Sequence, residues 1–211
     1  MQRFNYGLRT FALLLATVAA TAFGGEAGEI FEPGDHCVAY RTIKEMWFGS
    51  EVEVVGRSCE VSAKLVSVDG SSQVVVSVPI KSFRSGNVLR NRSVADLLGV
   101  KLQPDLRFTS DPIDAGALRD DIARGSFVLP GTLSLGEKPY PVDFPLEIVE
   151  HAGQRIVKGR LETTFEAFSV EVPTVMGGFI AKPHEELEVI VHLDVAQVDG
   201  LEAWAVAAGL E

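Results

Sequence analysis

Cysteine is scarce. Cys37 and Cys59 are the only two in 211 residues. Neither belongs to a C-x-x-C pair or a Cys/His cluster, which argues against a redox or metal role. Histidine is nearly as scarce, and His36, His151, His184 and His192 fall in no H-E-x-x-H or other metal spacing. No metal ligand and no cofactor site is therefore expected. The Gly177-Gly178 pair has no G-K-[ST] after it, and Ser134 in "GTLSLG" sits in no G-x-S-x-G elbow. Acids abound, but no spacing isolates a general acid/base pair. No catalytic residue is expected, and the chain does not read as an enzyme. Positive charge is short too: 19 Lys and Arg against 29 Asp and Glu leave −10, which makes nucleic acid an unsuitable partner.

The one long apolar run stands at the start. "MQRFNYGLR" carries Arg3 and Arg9, and "TFALLLATVAATAF" follows with 14 residues, too short for a membrane span and suited to a signal peptide. Ala20-Thr21-Ala22 offers a cleavage site, with Ala27 a later one. Residues 1–22, or 1–27, are read as a removed signal, so no stable membrane span is expected and the destination is the periplasm or the outside. Cleavage after Ala22 removes two Arg and no acid, so −10 − 2 gives −12. In an oxidising compartment two cysteines permit a bridge. A Cys37–Cys59 disulfide is the simplest reading; two unpaired buried cysteines are the alternative.

Hydrophobic residues make up 46% of the chain, enough for a core in one domain, placed at residues 28–200 with a C-terminal tail at 201–211. Most of that span alternates between apolar and polar residues. Val74, Val76, Val78 and Ile80 share one face, as do Phe127, Leu129, Leu133 and Leu135. Val142, Phe144, Leu146 and Ile148 alternate with Asp143, Pro145 and Glu147, and Leu187, Val189, Val191, Leu193 and Val195 with Glu188, His192 and Asp194. Leu161, Thr163 and Phe165 oppose Arg160, Glu162 and Thr164. About eight strands joined by tight turns predict an antiparallel meander that closes to remove its edges. On that pattern His192 faces solvent. "DAGALRDD" is read as a turn-rich connection. Only residues 84–99 break the alternation: Val88, Val94, Leu97 and Leu98 are spaced as one helical stripe, and Gly99 can stop it.

The order of these motifs resembles the YceI-like family, exported proteins with a lipocalin-like barrel that bind polyisoprenoids or similar long-chain lipids. The family shows S-A-D-F-F or S-A-D-F-L, a spacer, then Y-P-x-A-x-F-x-S. Here "VADLLGVKLQPDLRFTS" keeps Ala95, Asp96, Leu97, Leu98, Pro104, Phe108 and Ser110 in register. "PGTLSLGEKPYPV" matches G-x-L-T-L-N-G-x-x-K-P-V at Gly131, Leu133, Leu135 and Pro139. The likeness spans roughly residues 35–198. One departure is clear: where the family carries D-x-H-L before the helix end, Leu89, Asn91 and Arg92 stand, and the histidine is missing.

The resemblance implies an all-β, eight-stranded antiparallel lipocalin-like β-barrel with one short helix near residues 87–99, which plugs a mouth or covers a sheet edge. It implies a carrier or storage protein for a polyisoprenoid, isoprenoid quinone or similar lipid. A stress-response interaction protein with a filled barrel is the rival, and a homodimer stays open. The expected lining is Val76, Val78, Leu97, Leu98, Phe108, Phe127, Leu129, Leu133, Phe144, Leu146, Leu161, Phe165, Val189 and Val191. Parity alone does not separate a pocket wall from ordinary core. Lys81, Arg84, Arg90 and Arg92 form the basic cluster of an acidic chain. Arg84, Arg90 and Arg92 are candidates for clamping an anionic headgroup, against the plainer reading of a solvated helix face.

Overall fold

A computed structural model describes residues 30–46, 49–68, 71–151, 153–171 and 181–207. The expected signal segment and the Gly177-Gly178 pair lie outside the described residues.

Among the described residues eleven strands follow one another: β1 (Cys37–Met46), β2 (Glu51–Ser58), β3 (Ser62–Val68), β4 (Ser71–Pro79), β5 (Asp105–Ser110), β6 (Ser126–Leu135), β7 (Lys138–His151), β8 (Gln154–Thr164), β9 (Ala181–Pro183), β10 (Glu186–Asp194) and β11 (Val198–Asp199). They make one sheet in the order β11-β3-β4-β5-β6-β7-β8-β10-β1-β2, with β9 beside β1. Every ladder is antiparallel except the short parallel β11–β3 pair. The fold class is as expected, but eleven strands replace eight. "SEVEVVGRSCEVSAKLVSV" reads as one long run, yet it breaks at Cys59–Val61 with no glycine or proline to mark the break. β9 and β11 have three and two residues, too few to show a period.

The sheet must curl. β2 and β3 are consecutive in the chain but sit toward opposite edges of the sheet. Ser58 and Ser62 are four peptide steps apart, which limits their separation to about 14 Å. The ladder is not continuous across this seam; other contacts cover it. The backbones of Arg57 and Arg84 exchange hydrogen bonds of 2.9 and 2.8 Å, and the Ser58 and Ser82 hydroxyls meet at 2.5 Å. The Cys37–Cys59 disulfide, with Cα atoms 4.1 Å apart, ties the start of β1 to the end of β2. An edge that would otherwise stay unpaired is thereby occupied.

Among the described residues, α1 (Val88–Leu97), α2 (Ala115–Arg124) and α3 (Leu201–Ala207) accompany the sheet. α1 falls where the alternation broke, and Asn87 caps it by accepting from the Arg90 N–H at 3.0 Å. α2 corrects the expected turn-rich connection. The Asp114 carboxylate accepts from the Gly116 and Ala117 N–H groups, and Gly125 at φ 76 closes the helix in the left-handed region. α1 joins β4 to β5 and α2 joins β5 to β6, so the two lie at opposite ends of β5. α3 occupies the first part of the expected tail. Among the described residues no helix is long and apolar enough to cross a membrane.

One part of the wall is covered on both faces. Val38 and Tyr40 of β1 face inward, while Cys37 and Ala39 pack with Ile190 and Phe31 on the outside. Residues 30–36 lie over this outer patch. The Asp35 carbonyl oxygen is 2.8 Å from His192 Nδ1, and the Phe31 ring centroid is 5.5 Å from that of His192. His192 is thus 3% exposed and not solvent-facing. Its parity is the outer one, but the outer face is covered here.

Candidate functional site

The curled sheet encloses a cavity of about 720 Å³, within the range of small-molecule sites. Its wall is built by strand alternation: Val74, Val76 and Val78 from β4, Phe127, Leu129, Leu133 and Leu135 from β6, and Leu187, Val189, Val191 and Leu193 from β10. Cross-strand partners share a face, so Val76, Phe108 and Leu133 form one rung across β4, β5 and β6.

Glycines make room for the rings of this wall. A Cβ on Gly56 would lie 2.3 Å from the Tyr40 ring, and one on Gly131 would lie 2.7 Å from the Phe108 ring. A Cβ on Gly159 would lie 2.5 Å from Leu146 and 2.9 Å from the Phe144 ring. Each bulky side chain lies over a bare stretch of neighbouring backbone. Phe108 and Phe144 then meet edge to face at 6.3 Å.

Of the fourteen residues expected to line the barrel, Val76, Val78, Leu97, Leu98, Phe108, Phe127, Leu129, Leu133, Phe144, Leu146, Phe165, Val189 and Val191 surround this cavity. Leu161 does not. It is paired with Val189 on the inner parity, but Phe144 and Leu146 lie over Gly159 two residues away. Residues the alternation did not point to also contribute. Leu118 and Ile122 come from α2, and Leu201 and Trp204 from α3. The i, i+4 spacing in α2 between Asp114 and Gly125 was the signal that could have located the first pair.

The expected basic cluster divides. Arg90 reaches the cavity; Arg84 and Arg92 do not. Arg84 Nη1 is engaged by the Lys81 and Phe83 carbonyls at 2.6 and 3.1 Å, and Arg92 lies on the exposed side of α1. Arg90 Nε donates to Ser85 Oγ at 2.8 Å and its Nη2 to the Ser85 carbonyl. Ser85 Oγ in turn donates to Asn91 Oδ1 at 2.6 Å. Burial raises the Tyr40 phenol above its usual value, outweighing the opposing effects of a Ser85 hydrogen bond and the Arg90 charge. Tyr40, Asn87 and Arg90 all touch the cavity, giving it one polar corner of neutral and cationic donors. Lys44 and Arg155 are its other cationic neighbours, and no carboxylate is among the described residues that line it.

Asp35, Cys37 and Cys59 lie close together, but both sulfurs are spent in the disulfide, which leaves no metal-ligating set there.

An apolar cavity inside a curled antiparallel sheet, bordered by a short helix, defines a lipocalin-like fold. The YceI-like domain matches residues 32–195, and the chain belongs to that family. Solved structures that share its fold include the following two. BcnA of Burkholderia cenocepacia is 21% identical, with 75% of this chain and 95% of that one covered and a TM-score of 0.53. A polyisoprenoid binding domain from Saccharophagus degradans, implicated in plant cell wall breakdown, is 18% identical, with 74% and 92% covered and a TM-score of 0.55. No curated protein matches the chain.

Proposed function

We propose that the protein is an exported carrier or storage protein that holds a polyisoprenoid, isoprenoid quinone or similar long-chain lipid in its barrel. The observation that carries this is the lining: some three dozen apolar side chains around about 720 Å³, with few polar neighbours, among them the Tyr40, Asn87 and Arg90 corner. Such a site favours a long hydrocarbon with one polar head. Each buried methylene contributes about 0.8 kcal/mol, while association costs about 4–15 kcal/mol. Ten methylenes do not offset the upper cost; roughly twenty do, which favours long chains over short ones. The donors at the polar corner suit a hydroxyl, carbonyl or phosphate head. The likeness to the polyisoprenoid binding domain of S. degradans supports the same ligand class. The signal-like start of the sequence and the Cys37–Cys59 disulfide support export to an oxidising compartment.

Trp204 touches the cavity and serves as an internal reporter. Delipidated protein titrated with a long-chain polyisoprenoid alcohol should show saturable quenching or enhancement of tryptophan emission, absent in Trp204→Phe. Retained titration heat in Trp204→Phe would confirm that the variant still binds. No saturable signal and no heat in the native chain would sink the proposal.

A further inference from the structure

The connection between β4 and β5 differs in charge from the rest of the molecule. Residues 80–104 contain Lys81, Arg84, Arg90, Arg92 and Lys101 against Asp96, so 5 − 1 gives +4 in a chain of −10. The same connection exposes large apolar side chains: Val88 is 67% exposed, Leu89 72% and Leu102 68%. Val88, Leu89, Arg92 and Ser93 form the outward stripe of α1, and Leu89 and Ser93 also border the cavity. The apolar tip therefore continues into the binding site. Lys81, Arg84 and Arg92 stand exposed beside it. Other parts of the surface have the opposite sign. Glu166, Glu171 and Glu185 are exposed where β8 ends and β10 begins, and α2 with its approach carries Asp111, Asp114, Asp120 and Asp121 against Arg119 and Arg124.

Exposed apolar residues flanked by cations fit the headgroup boundary of an anionic bilayer. We propose that the α1 connection docks on an anionic lipid surface. Val88 and Leu89 enter the boundary, Lys81, Arg84 and Arg92 meet lipid phosphates, and the acidic remainder is turned away. Cargo then passes beside Leu89 between bilayer and cavity without crossing water. The passage of cargo rests on the lipid-carrier reading; the docking does not.

The test is sedimentation of the purified chain with vesicles of phosphatidylcholine alone and of phosphatidylcholine mixed with phosphatidylglycerol. The chain should bind the mixed vesicles selectively and lose binding as salt rises, since exposed charges are screened. Arg84→Glu/Arg92→Glu and Val88→Ser/Leu89→Ser should each weaken that binding roughly tenfold or more. Both variants should keep the native circular dichroism spectrum, and Arg84→Glu/Arg92→Glu, whose residues do not touch the cavity, should take up a polyisoprenoid alcohol from cyclodextrin at unchanged stoichiometry. Equal binding to both vesicle types, no vesicle binding, or full binding by both variants would overturn the docking surface. Selective vesicle binding without polyisoprenoid uptake would support docking and overturn the carrier reading instead.

Discussion

Gly56 shows how single residues set the cavity wall. The Tyr40 ring lies so close over it that even a methyl group forces the ring to move. Gly56→Ala is expected to cost about 1–3 kcal/mol in denaturant unfolding, as overpacking does. Gly34→Ala, with no atom within 4 Å of the new methyl, should stay within about 0.5 kcal/mol. Equal effects would contradict the ring-over-glycine packing. A second residue sets the acid response. His36 is buried, and neither ring nitrogen has a hydrogen-bond partner. Burial holds its pKa below 6.5, helped by the neighbouring His192 and outweighing the raising effects of the Asp194 backbone and charge. The folded chain thus takes up this proton at lower pH than the unfolded chain. Stability from the neutral ring is complete above the unfolded value and is lost as pH falls from there through the folded one. Chemical denaturation below pH 6.5 should show this loss, and His36→Phe should lessen it. An unchanged pH slope in the variant would exclude His36 as its source.

At the scale of elements, the seam depends on the disulfide. Cys37 and Cys59 close a loop with a sequence separation of 22, for which the chain-entropy model gives about 3 kcal/mol. Cys37→Ser/Cys59→Ser should lower the unfolding free energy by about that amount; no change would mean that the Arg57–Arg84 and Ser58–Ser82 contacts hold the seam unaided. Much of this level was legible in the sequence. Long strands such as β7 and β10 announce themselves because one face is dry, and α1 because it interrupts them. α2 was missed because its acidic and basic residues resemble a solvated turn, although Asp114 and Gly125 mark both ends. The β2–β3 break was missed because Cys59–Val61 lacks turn residues. Parity gave the inner face of Leu161 correctly, but alternation carries no information on depth, which Gly159 and its neighbours decide. Nor does it carry which basic side chain turns inward. Arg90 does because Ser85 holds its guanidinium, a contact set by the tertiary fold.

For the whole molecule, the curled sheet gives its interior a mostly apolar lining in which, among the described residues, Lys44, Arg90 and Arg155 are the charged neighbours and no carboxylate takes part. A chain lipid that fills the barrel must compete with any larger side chain placed there. Val189→Trp is expected to displace two or more methylenes at about 0.8 kcal/mol each, which lowers affinity roughly tenfold. Unchanged affinity would place the ligand elsewhere. The most direct measurement is native mass spectrometry of the protein purified without detergent from its own cell envelope, with organic extraction of whatever is bound. A one-to-one adduct that extracts as a long-chain lipid, with mass steps of isoprene units for the polyisoprenoid case, is the expected result. A bare protein that stays bare after incubation with polyisoprenoid alcohols and quinones would contradict the carrier reading and leave the barrel as a scaffold for other contacts.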